Sequence, residues 1–190
     1  NNFAVKALDA GAAYEIIDEE INANDDRLIK TEDVLQTLHQ LAKYHRRKFN
    51  IPFIAITGSN GKTTTKELVH QVLSSSFKTF TTEGNLNNHI GIPLTILKIM
   101  ADAEIAIIEM GANHLKEIES YCEYTLPTHG LITNCGKAHL EGFGSIEGVR
   151  KAKGELFDHF KKNGGTAFIN SDDKVLTNMG KGIKEIVTYG

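Results

Sequence analysis

Between Thr57 and Glu67 the chain reads TGSNGKTTTKE. Glycines let main-chain N–H groups crowd around phosphate oxygens. A helix start adds partial positive charge, a lysine reaches the terminal phosphates, and a threonine hydroxyl can sit on Mg²⁺. On this pattern Gly58, Ser59, Asn60, Gly61, Lys62, Thr63 and Thr64 form a nucleotide cradle, with Lys62 serving the phosphates and Thr63 the metal. The spacing departs from the common GxxxxGK[ST] loop. Ile56 stands at the first glycine position, which leaves the tighter Gly58-x-x-Gly61-Lys62-Thr63.

Four other stretches could add chemistry. Glu109 closes the apolar run IAIIE, where a carboxylate can hold or orient Mg²⁺ opposite a phosphate loop; standing alone, such a residue is more often a cap or a rim group. His139 lies in the glycine-rich stretch TNCGKAHLEGFGS, as a ligand or hydrogen-bond donor if that loop lines a site, and as a surface histidine otherwise. The segment TEGNLNNHIGIP carries Asn85, Asn87 and Asn88. Their amides suit sugar, amide or phosphate recognition, and equally suit turns and helix caps. Lys153 is the odd one. At helical spacing it falls inside the apolar stripe of Val149, Ala152, Leu156 and Phe160 rather than beside Lys151 on the far face. It can snorkel to water, stay as a buried neutral amine, or add carbon dioxide and become an anionic carbamate able to bind Mg²⁺.

These groups need elements to place them. From Ile51 onward short apolar runs alternate with amphipathic segments. The pattern predicts strands at 53–57, 77–82, 104–110, 130–134, 166–170 and 185–189. Helices are predicted at 63–75, 93–100, 115–124, 145–161 and 174–179. Such alternation implies an α/β, mostly parallel, doubly wound sheet of P-loop type, with ligands at the carboxyl ends of the strands. Upstream, a short helix, a stop at Gly11 and a strand over 14–17 precede the polar turn NANDD. A helix then begins at a Thr31 cap, with Glu32 and Asp33 in its first turn, and ends in the solvated basic cluster HRRK.

The chain has 190 residues and a net charge of −3 from 21 basic and 24 acidic groups. That balance points away from nucleic acid and anionic membrane as partners. The two cysteines, Cys122 and Cys135, have no metal-ligand spacing and read as reduced thiols of a cytoplasmic protein. No apolar run is long enough to span a membrane.

Taken in series, TGSNGKTTTKE, GNLNNHIGIP, EMGANHLKEI and AHLEGFGSIEGVRKAKGE resemble the Mur ligases of peptidoglycan synthesis, over roughly residues 54–157. GNLNN and EMGANH favour the D-alanyl-D-alanine-adding branch. The resemblance implies residues 1–50 as the end of a UDP-sugar-binding α/β domain plus a linker helix, and residues 51–190 as a truncated ATP-binding central domain with the C-terminal domain absent. It implies an ATP-dependent amide ligase that joins D-alanyl-D-alanine to UDP-N-acetylmuramoyl-tripeptide through an acyl phosphate, acting as a monomer, with this piece inactive alone. Two Mg²⁺ ions are expected, one on Thr63 and Glu109 and one on His139 and a carbamylated Lys153. Lys62, His139 and Lys153 are the expected catalytic residues, and Asn87, Asn88 and Asn113 would meet substrate. The alternatives are another Mur-type or folylpolyglutamate-type ligase, or a non-ligase P-loop switch; no guanine-reading Asn-Lys-x-Asp string supports the switch.

Overall fold

A computed structural model describes residues 3–22, 24–136 and 143–190. The chain divides into two compact units, Asn1–Leu41 and Ala42–Gly190.

The first unit holds helix α1 (Ala4–Asp9) and two short parallel strands, β1 (Glu15–Ile17) and β2 (Leu28–Lys30). The strand β2 has no counterpart in the sequence-based expectation, which placed only the polar turn NANDD between the first strand and the next helix. Helix α2 runs from Val34 to Arg46, so Thr31, Glu32 and Asp33 all precede it. The expected Thr31 cap is therefore corrected. Asp33 accepts from the Gln36 N–H at 2.7 Å and Asp18 from the Val34 N–H at 3.0 Å, while the Thr31 N–H donates to the Ile17 carbonyl. A carboxylate satisfies the orphan donors of a helix start at least as well as a hydroxyl does.

The second unit is built on six parallel strands in the order β4-β5-β3-β6-β7-β8. They are β3 (Phe53–Thr57), β4 (Thr79–Thr81), β5 (Ile105–Glu109), β6 (His129–Ile132), β7 (Thr166–Asn170) and β8 (Glu185–Tyr189). Between them lie α3 (Lys62–Ser74), α4 (Gly91–Leu97), α5 (Glu117–Thr125), α6 (Ile146–Asn163) and α7 (Lys174–Met179). The expected α/β, mostly parallel fold is what the chain adopts. Consecutive apolar residues such as Ile105–Ile108 form a strand because both of its sides are covered, and all of β5 is buried.

The two faces are covered unequally. Phe53, Ala55, Ala106, Ile108 and Ala167 point into the larger core, with α4, α5, α6 and α7. Ile56, Ile105, Ile107 and Leu131 form a smaller core against Val69 and Leu73 of α3. The basic cluster at the end of α2 is not uniformly solvated, a second correction. Arg46 is buried, donates to the carbonyls of Phe49, Thr125 and Leu126 at 2.8–3.0 Å, and lies 3.7 Å over the Phe53 ring. Its planar fork and weak hydration suit that role, whereas Arg47 and Lys48 remain exposed.

Strand register sets the level of the site. Ile56 pairs with Glu109 and Thr57 with Ile132. The ends of β3, β5 and β6 therefore finish together, and the segments leaving them share one edge of the sheet.

Candidate active site

The phosphate loop leaves β3 at Thr57 and enters α3 at Lys62. Gly58 has φ +144°, and a Cβ there would lie 2.0 Å from Thr133 Oγ1. Gly61, at φ +77°, is the α3 N-cap. The loop is braced from the end of β6: Thr133 Oγ1 and Asn134 Nδ2 donate to the Asn60 carbonyl, the Ser59 N–H donates to the Asn134 carbonyl, and the Asn60 N–H donates to Asn134 Oδ1. Ser59 Oγ donates to the Gly136 carbonyl. Sequence reading missed Thr133 and Asn134, because nothing local marks a residue that supports a loop 73 or 74 positions upstream. Gly58→Ala is expected to cost at least about 2 kcal/mol through backbone strain and the Thr133 clash. A lowered urea midpoint together with lost nucleotide binding would register it, and an unchanged midpoint would contradict it.

Within the loop, Lys62 Nζ donates to the Gly58 carbonyl at 2.8 Å, and burial draws its amine below the usual lysine range against the opposing pull of Glu109. Thr63 Oγ1 donates to Glu109 Oε1 at 3.2 Å, and Asn87 Nδ2 donates to the same oxygen at 2.7 Å. Glu109 is 1% exposed, and its Oε2 is buried with no hydrogen-bond partner among the described residues. A carboxylate held on one oxygen and bare on the other, beside a threonine hydroxyl and a phosphate loop, fits Mg²⁺. Among the described residues no group of three His, Cys, Asp or Glu side chains could form a cage. Thr64 is exposed on the first turn of α3.

The asparagines separate. Asn87 is bound to Glu109, and Gly111 passes so close that an added Cβ would meet Asn87 Oδ1 at 2.8 Å. Asn88 Oδ1 accepts from the Ile90 and Gly91 N–H groups, starting α4, so the capping alternative describes its oxygen. Asn113 is exposed, with its N–H on Glu117 Oε2. All three nonetheless line one cavity of about 480 Å³ with Lys62, Gly111 and Ala112.

Lys153 enters from α6. It is 1% exposed, its Nζ donates to the Ala112 carbonyl at 3.1 Å, and it stands 5.3 Å from the Phe143 ring centroid. Snorkelling is thereby excluded. Burial, aided by the charge of Lys62, pushes its amine down to about 8. Two residues along, Glu155 accepts from the Lys116 and Glu119 N–H groups at the start of α5, which fixes α6 against the loop that presents Ala112. His139 lies outside the described residues.

Residues 56–190 match the Mur ligase middle domain. The UDP-N-acetylmuramoyl-tripeptide--D-alanyl-D-alanine ligase of Bacillus subtilis is 37% identical over 94% of this chain and 39% of its own length. The enzyme of the same name from Escherichia coli is 39% identical over 91% of this chain and 38% of its own. The crystal structure of MurF from Acinetobacter baumannii superposes over 100% of this chain and 42% of that one, with TM-score 0.91 at 33% identity. MurF ligase from Thermotoga maritima in complex with ADP superposes over 100% and 44%, with the same TM-score and identity. The chain thus spans about two fifths of the length of the relatives it matches.

Proposed function

Because this chain belongs to the Mur ligase family and carries that family's middle domain, we propose that it is the nucleotide-binding part of an ATP-dependent ligase that joins D-alanyl-D-alanine to UDP-N-acetylmuramoyl-tripeptide. The observation that supports this most strongly is Glu109 with its bare Oε2, set between the Thr63 hydroxyl and the Asn87 amide at the mouth of the phosphate loop.

In this reading the loop from Gly58 to Thr64 takes the triphosphate. Lys62, released from the Gly58 carbonyl, turns to the terminal phosphate. Thr63 and Glu109 would hold a first Mg²⁺, whose charge would offset that of the phosphates; the substrate carboxylate attacks the γ-phosphorus and ADP departs. The cavity lined by Asn87, Asn88 and Asn113 receives the end of the peptide. Lys153, whose Nζ reaches the Ala112 carbonyl, would as a carbamate hold a second cation together with His139. A buried amine is well suited to carbamylation, since only its neutral form adds carbon dioxide. The amine of D-alanyl-D-alanine then attacks the acyl carbon of the acyl phosphate, forming the amide and releasing inorganic phosphate and the amine's proton. Residues 1–50 are the end of a sugar-nucleotide-binding domain plus a linker helix, and the protein works as a cytoplasmic monomer. No described helix is long and apolar enough to cross a membrane.

The test uses the complete protein with ATP, Mg²⁺ and UDP-N-acetylmuramoyl-tripeptide. Phosphate release is expected to depend on added D-alanyl-D-alanine, with the joined peptide seen by mass spectrometry, and the 190-residue chain is expected to be inactive alone. Phosphate release that is indifferent to both the tripeptide and the dipeptide would overturn the assignment.

A further inference from the structure

Lys66 is a second lysine set into an apolar stripe. On α3 it shares a face with Val69 and Leu73, at i, i+3 and i+7, and it is 0% exposed. Burying an ammonium costs several kcal/mol unless it is well paired, and an aliphatic side chain would fill the same space without that cost. Its partners are specific: Nζ donates to the Thr82 carbonyl at 2.5 Å and pairs with Glu67 Oε1 at 2.7 Å.

Thr82 is where this bond acquires consequence. Thr82 Oγ1 accepts from the Glu109 N–H at 3.0 Å, and the Thr82 N–H donates to the Ile107 carbonyl. The connection that leaves β4 at Thr82 comes back at Asn87, whose amide holds Glu109 Oε1 and whose carbonyl accepts from the Gly111 N–H at 2.8 Å. Both ends of the connection therefore grip Glu109, one by its backbone and one by its carboxylate. Lys66 ties the first end to the helix that carries Lys62 and Thr63.

We propose that Lys66 is a positioning residue for the cation site, acting through Thr82 to hold Glu109 in register with Thr63. The inference rests on the metal-binding role proposed above for Glu109. It needs no contact between Lys66 and nucleotide. Groups that orient metal ligands without touching the ion typically change metal affinity by about 10- to 100-fold when removed.

The experiment titrates the complete protein, with ADP present, with Mn²⁺, and follows free Mn²⁺ by electron paramagnetic resonance; thermal midpoints are recorded alongside. Wild type, Glu109→Gln, Lys66→Met and Thr82→Val are compared. Lys66→Met is expected to weaken Mn²⁺ binding by about 10-fold or more, and Thr82→Val, which keeps shape but loses the acceptor for the Glu109 N–H, is expected to do the same. In ligation assays the Mg²⁺ half-saturation should rise while kcat at saturating Mg²⁺ stays near wild type. A lowered thermal midpoint with unchanged Mn²⁺ affinity would mean that Lys66 only supports the fold, and would overturn the proposal. If Lys66→Met does not fold, tight Mn²⁺ binding by Thr82→Val overturns it equally, because the relay runs through that hydroxyl. Wild-type Mn²⁺ binding that Glu109→Gln leaves intact would instead remove the underlying metal assignment.

Discussion

Lys153→Met is expected to make the protein more stable near neutral pH and, in the complete enzyme, to stop ligation. The drop of the Lys153 amine from 10.5 to about 8 corresponds to about 3 kcal/mol against the buried charge. Methionine removes the charge at similar length. It also leaves the Ala112 carbonyl without its donor, which gives back about 1 kcal/mol. The net expectation is roughly 2 kcal/mol of stabilisation at pH 7, read from urea unfolding of metal-free, bicarbonate-depleted protein. The pH dependence has a definite sign. Because the folded-state value lies below the unfolded one, the unfolded chain holds more protons between about pH 8 and 10.5. Wild-type stability therefore rises with pH through that window, and the penalty is complete below it. Lys153→Met should lose that slope. Equal stabilities at pH 7, or a slope retained in the variant, would contradict the burial argument. On the activity side, Lys153→Ala leaves space for a small carboxylate, so partial recovery of ligation by acetate would support the carbamate.

The opposite trade is expected at Glu109. In Glu109→Gln the retained Oε1 can still accept from Thr63 Oγ1 and Asn87 Nδ2, so those two bonds survive. Only the bare Oε2 is exchanged, for an NH₂ group that cannot bind a cation. The Mg²⁺ half-saturation of the complete enzyme should rise more than about tenfold, and ligation at millimolar Mg²⁺ should fall on the order of 100-fold. Circular dichroism melts would show whether the fold is intact. An unchanged Mg²⁺ dependence in a folded variant would remove Glu109 from the metal site.

Much of this protein was readable along the chain, and the reason is local. The run FIAIT and the run IAIIE are apolar on successive residues, which only a strand covered on both sides tolerates. The phosphate loop carries its own instructions, since glycines, lysine and threonine act within one turn of backbone. Lys153 stood out because a charge inside a helical stripe conflicts with the period of its neighbours. Lys66 carried the same signal, one turn past Lys62, and was hidden by the phosphate motif around it. At Arg46 the local signal misled: a basic residue near a helix end is ordinarily solvated. Here carbonyls 79 and 80 positions away and the ring of Phe53 made burial favourable.

Residue order by itself determined the alternation of strand and helix, the position of the nucleotide loop, and which carboxylate and which lysine were out of place, because each depends on neighbours within a few residues. Only the folded chain decided that Ile56 sits beside Glu109, that Thr133 and Asn134 brace a loop far upstream, and that Thr82 and Asn87 close around one carboxylate. Those pairings arise from parallel register and from hydrogen bonds between segments whose separation in sequence carries no trace of their contact in space.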